Sequence, residues 1–164
     1  MADEEATDRT PGRKSILERL DRFVGEWKLE VPLDGQMNWS GPVTFDWLED
    51  GSFLVQRMEV GDLSDAPTGW IENAPHSTVW IIGLDDTSEQ FTMLYADSRD
   101  VFRVYQMSLH DSVWEIWRDA PGFSQRFTGT FQDDGDTIDG RWEISDDGVE
   151  WEIDFDVTYT RGKE

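Results

Sequence analysis

Cysteine is absent from the 164 residues, which excludes disulfides, thiolate metal sites and cysteine nucleophiles together. Lysine is reduced to three residues and histidine to two, His76 and His110. Only 14 basic residues stand against 36 acidic ones, a net charge of −22. Nucleic acid or an anionic membrane would be repelled by that field unless one face gathered the few cations, and no basic stripe runs along the chain. Neither is an expected partner. No apolar run approaches the length of a membrane span, and the opening MADEEATDRTPGRK carries charges with no apolar segment behind them. The reading is a soluble, cytoplasmic chain. Its acid-rich, lysine-poor surface suits colloidal solubility and equally a salt-adapted host.

What the chain does contain begins with an amphipathic stretch, Ser15 to Trp27. Ile16, Leu17, Leu20 and Phe23-Val24 fall on one side of a helix, and Glu18, Arg19, Asp21 and Arg22 on the other. Residues 1–14 ahead of it are charged and aperiodic, which predicts a disordered tail before a single domain over 15–164. Beyond the helix the period changes to two. Turn chemistry recurs at Asp34-Gly35, Asp50-Gly51, Asp85-Asp86, Ser98-Arg99-Asp100, His110-Asp111-Ser112, Pro121-Gly122, Asp134-Gly135 and Asp147-Gly148. Runs rich in β-branched and aromatic residues separate these turns. The pattern predicts about ten strands, over 25–32, 40–49, 52–61, 76–84, 89–97, 101–109, 112–119, 124–133, 136–144 and 149–161.

An antiparallel up-and-down meander of that length curls, and closing it removes its edges, so the predicted fold is an all-β barrel with a short N-terminal helix as its lid or plug. Alternation places Trp114, Ile116, Phe127, Gly129 and Phe131 inside. On the last strand it puts Val149, Trp151, Ile153, Phe155, Val157 and Tyr159 on one inner face, opposite Glu150, Glu152, Asp154 and Asp156. Val79-Trp80-Ile81-Ile82 is apolar on both faces, so its outer side needs a cover, from a second copy in a homodimer or from the N-terminal helix. Asp62 to Pro75 is too long for a hairpin and reads as a surface loop or a flap at the barrel mouth.

With Gly25-Glu26-Trp27 opening the first strand and Tyr159-Thr160-Arg161 closing the last, the chain resembles the calycins, the group of lipocalins, fatty-acid-binding proteins and nitrobindins. That resemblance implies a barrel closed by Arg161 lying across the Trp27 indole. Longer stretches resemble a bacterial domain family of unknown function with a calycin-like fold. They are Gly51 to Arg57 (GSFLVQR), Phe102 to Met107 (FRVYQM), Ile138 to Glu143 (IDGRWE), Ser145 to Gly148 (SDDG) and Asp154 to Asp156 (DFD). The likeness implies a fold and no particular activity. Nitrobindins continue the first motif with further glycines and supply a histidine to haem. Here Trp27 is followed by Lys28-Leu29-Glu30, so no haem and no other cofactor is expected.

Chemistry-bearing residues are sparse. His110-Asp111-Ser112 are adjacent, whereas catalytic triads assemble in space. The aspartate clusters at 133–136 and 146–148 lack the ligand spacing of a calcium loop and read as hairpin turns. No metal site is expected. The arginines within strands are more informative, because a chain this acidic places Arg57, Arg103, Arg118 and Arg126 there. Parity turns Arg118 inward with Trp114 and Ile116 and Arg126 outward. Arg57 and Arg103 stay undecided. An inward arginine with Tyr105, Gln106 or Gln125 would hold the acidic end of a small, largely apolar or amphipathic molecule against walls such as Trp114. The candidate ligand residues are therefore Arg57, Arg103, Tyr105, Trp114, Arg118 and Gln125, with no catalytic residue assigned. Two alternatives stay open: an enzyme using Glu59 beside Arg57 and Tyr105 for isomerisation or hydrolysis, and an interaction protein whose filled barrel acts through a dimer surface around Trp80.

Overall fold

The structure is a computed structural model that describes residues 14–33, 37–48, 51–59 and 75–162. Of the tail expected over 1–14, residues 1–13 lie outside these residues and Lys14 begins the helix; the segment 60–74, which holds nearly all of the expected flap, lies outside them too. Ten strands follow a short helix: β1 Gly25–Leu33, β2 Met37–Leu48, β3 Phe53–Glu59, β4 Ser77–Leu84, β5 Phe91–Asp97, β6 Phe102–His110, β7 Val113–Arg118, β8 Ser124–Phe131, β9 Thr137–Ser145 and β10 Glu152–Arg161. Each strand pairs antiparallel with its neighbours in sequence, and β1 pairs with β10 to close the barrel. The expected meander and its closure are both present. No helix among the described residues is long and apolar enough to cross a membrane.

The helix spans residues 14–23 and tightens to 3₁₀ geometry over Arg19–Phe23. Leu20 and Phe23 are fully buried, so this short element is held by its apolar side and not by its own hydrogen bonds. It plugs one end of the barrel. Arg19 Nη1 donates to the carbonyl of Leu109 at 2.9 Å, and Arg22 Nη1 donates to that of Asp111 at 2.6 Å, near the β6–β7 turn. Trp47 Nε1 donates to Asp21 Oδ1 at 3.0 Å. The helix thus sits over the end of the barrel and is not the cover for Val79 and Ile81 on the outer wall of β4, which removes one of the two covers expected for them.

Beneath the plug the lumen is filled by aromatic rings. Trp114 on β7 is fully buried, with ring centroids 4.7 Å from Phe23, 4.9 Å from Phe127, 5.8 Å from Tyr159 and 6.2 Å from Trp80. Room for Phe127 comes from two glycines: a Cβ on Gly140, or on Gly129, would collide with its ring. Both glycines serve close packing here. Alternation assigns Phe155, Val157 and Tyr159 to the interior as expected. A β-bulge between Ile153 and Phe155 then reverses the phase. Ile153 consequently lies on the outer face, 58% exposed, while Val149, 79% exposed, and Trp151, 4.2 Å from the outward Arg126, precede the strand altogether, which corrects the inner position expected for all three.

Candidate ligand site at the end away from the helix

At the end of the barrel away from the helix, four of the residues singled out in the sequence come together. Arg118, at the close of β7, is the register partner of Gln125 at the start of β8. Arg103 and Tyr105 share the inner face of β6. Tyr105 Oη donates to Gln125 Oε1 at 2.5 Å, and Arg103 Nη1 reaches the same oxygen at 3.5 Å. The guanidinium of Arg103 lies 4.8 Å from the Phe123 ring centroid and 6.0 Å from that of Tyr95, and Arg118 lies 6.0 Å from the ring of Tyr105. Burial raises the Tyr105 phenol, with both guanidinium groups opposing it, so it remains a neutral donor.

Neither Arg103 nor Arg118 takes part in an ion pair among the described residues. The pairs found there join Arg99 to Asp97, Arg126 to Glu143, Arg141 to Asp156 and Arg161 to Asp136. Arg118 Nε is buried without a hydrogen-bond partner among the described residues, as are Trp80 Nε1 and Trp114 Nε1. In a chain of net charge −22, this cluster is a local surplus of cationic donors. An unmade hydrogen bond at a buried donor costs about 1–3 kcal/mol, so an acceptor arriving here would be favoured.

The other candidates lie elsewhere. Arg57 is exposed on the outer face of β3, because its register partners Thr44 and Val79 both point outward. Glu59 is exposed on the same outer face, so the arrangement Glu59, Arg57 and Tyr105 does not form. Trp114 belongs to the packed half under the helix. Arg126 is outward, as parity expects, paired with Glu143 and 4.2 Å from the Trp151 ring centroid. His76 and His110 are both exposed. Among the described residues no group of three histidine, aspartate or glutamate side chains could hold a metal ion.

Sequence reasoning missed the second polar group at this end. Tyr95 Oη donates to Asp97 Oδ2 at 2.6 Å, and Arg99 chelates the same carboxylate through Nε at 3.1 Å and Nη2 at 2.5 Å. The alternation Phe91, Met93, Tyr95, Asp97 along β5 carried the signal. Burial by itself would raise the Asp97 carboxyl, but the hydrogen bonds from Arg99 and Tyr95 outweigh it and hold it at about 2. The ordinary aspartate value, which stands for the unfolded chain, is 3.8, so the folded group has the lower pKa. The stabilisation is therefore complete above about pH 4 and is lost as pH falls toward 2. After discounting for solvent at the barrel rim it amounts to about 1 kcal/mol. In urea unfolding, the wild type is expected to lose that much more stability than Asp97→Asn between pH 4 and pH 2. Parallel curves for the two proteins would show that the carboxylate carries no such role.

Fold and cluster together define a closed ten-strand antiparallel barrel, sealed by a helix at one end and lined with polar groups toward the other. Among solved structures the chain is similar to that of Rv2717c from M. tuberculosis, with a TM-score of 0.56 and 14% identity over 90% of this chain and 98% of that one. At this identity the likeness is one of fold. No protein-family model matches the chain, and no curated protein matches it.

Proposed function

We propose that this protein is a non-enzymatic binder of a small amphipathic acid, whose anionic group is received by Arg103 and Arg118 with Tyr105 and Gln125. The observation that supports it is the pair of inward guanidinium groups left without a carboxylate partner among the described residues of so acidic a chain. The calycin-like reading of the sequence points the same way. Binding is favoured over catalysis because Asp97, which lies close enough to act on Tyr105, is engaged by Arg99 and Tyr95 and held at about 2, which makes it a poor proton acceptor near neutrality. The rings packed around Trp114 keep the ligand's apolar part out of the lumen beneath the helix.

Decanoate and decanol share an apolar body and differ in charge. Titrated calorimetrically against the protein at low salt, decanoate is expected to bind at least about tenfold more tightly than decanol, and Arg103→Gln should remove most of that preference. Equal affinities, or no binding of either, would sink the proposal.

A further inference from the structure

The wall of the barrel opens beside this cluster. β6 pairs with β5 from Phe102 to Met107, but its ladder with β7 runs only from His110 to Gln106. β7 meanwhile stays paired with β8 through Arg118. β7 has one residue left beyond the Gln106–Trp117 pair, so Phe102–Tyr105 have no strand partner on that side, and a groove of about 500 Å³ lies between them and residues 117–120. Its lining mixes the two faces of the sheet, which an intact wall would keep apart. Arg103 and Arg118 have the inward parity, whereas Phe102, Val104 and Trp117 have the outward one. Phe102 is 65% exposed and Val104 46% exposed. Asp119 stands at the rim as its one carboxylate.

From this arrangement we infer that the ligand enters sideways through the β6–β7 gap and lies across the wall. Its acid reaches Arg103 and Arg118, and its aromatic or short aliphatic body rests on Phe102, Val104 and Trp117. The inference rests on the anion-binding reading of the two arginines and replaces a portal at the barrel mouth with one in the wall. Charge selects the ligand class: the groove presents two guanidinium groups at its inner side and an apolar outer lip, so it fits an amphipathic anion. It also reconciles a lumen packed solid beneath the helix with a binding function, since the apolar body needs no space there.

The chain's lack of cysteine makes the test direct. Val104→Cys supplies a single thiol on the outer lip, and 1-anilinonaphthalene-8-sulfonate serves as the probe. Its fluorescence titration is expected to weaken about tenfold in Arg118→Gln and by at least as much in Val104→Glu, with no change in Thr128→Glu on another part of the outer wall. Saturating probe should slow alkylation of the Val104→Cys thiol several-fold, and near-ultraviolet circular dichroism verifies that each variant is folded. Binding that is lost in Arg118→Gln yet kept in Val104→Glu, with no protection of the thiol, would leave the anion site standing and overturn the lateral route. Failure of the wild type to bind any anionic probe would overturn both. A thiol already shielded without probe, in a species of twice the chain mass by sedimentation, would show the groove covered by a second copy and overturn the inference likewise.

Discussion

Trp114→Ala should lower the free energy of unfolding by about 4 kcal/mol and move the urea midpoint down by about 2 M with little change in slope. The size follows from position. The indole is fully buried, and its ring neighbours come from the helix, β2, β4, β8 and β10. Removing it leaves a cavity that no neighbouring strand can close without breaking its ladder. Trp114→Phe separates the contributions to that cost. It keeps most of the ring contacts and deletes the Nε1 donor, which has no partner among the described residues, so it should cost only about 1–2 kcal/mol. Phe23 rests against Trp114 at 4.7 Å, so amide exchange in residues 14–23 should speed up in the alanine variant before the strands open. A loss near 1 kcal/mol in Trp114→Ala would mean the lumen is loosely packed, and the argument excluding the ligand from the space beneath the helix would fail with it.

Strand number and order were legible because aspartate and glycine mark nearly every hairpin, and period-two alternation between them is seldom interrupted. Parity alone also turned Arg118 inward, since Trp114 and Ile116 precede it on the same face. Arg103 could not be assigned that way. Its strand is apolar on both sides, with Phe102 and Val104 outward and Tyr105 and Met107 inward, and burial distinguishes them only once neighbouring strands are in place. Ile153 was misplaced because a bulge shifts the phase by one residue and leaves no local trace in composition. The β6–β7 opening is less visible still. How far two strands stay paired depends on both of them and on the turns beyond, and the residues lining the gap look like ordinary strand residues.

Arg161→Ala is expected to cost about 3 kcal/mol, although the residue is partly exposed and lies on the last strand. Arg161 is the register partner of Trp27 where β1 meets β10, and its guanidinium sits 4.2 Å from the indole centroid. Each nitrogen also has an acceptor. Nε donates to Asp136 Oδ1 at 2.9 Å, Nη1 to the carbonyl of Val24 at 2.8 Å and Nη2 to that of Arg22 at 2.6 Å. One planar group thus ties the end of the helix, the β8–β9 turn and the closing seam of the barrel. Hydrogen bonds from a charged donor contribute more than neutral ones, and the ring contact adds roughly 0.5–1 kcal/mol. Lysine keeps the charge over Trp27 but cannot reach three acceptors in one plane, so Arg161→Lys should retain about half of the stability lost in alanine. Gly25 reports on the same junction. It has φ of 130°, and a Cβ there would stand 3.0 Å from Arg161 Nη1, so Gly25→Ala both strains the backbone and displaces the guanidinium. In the Arg161→Ala background the second of these penalties disappears. The Gly25→Ala cost should then fall by about 1 kcal/mol in a double-mutant cycle of urea unfolding free energies. Simple additivity of the two changes would show that the guanidinium does not hold the seam in this way.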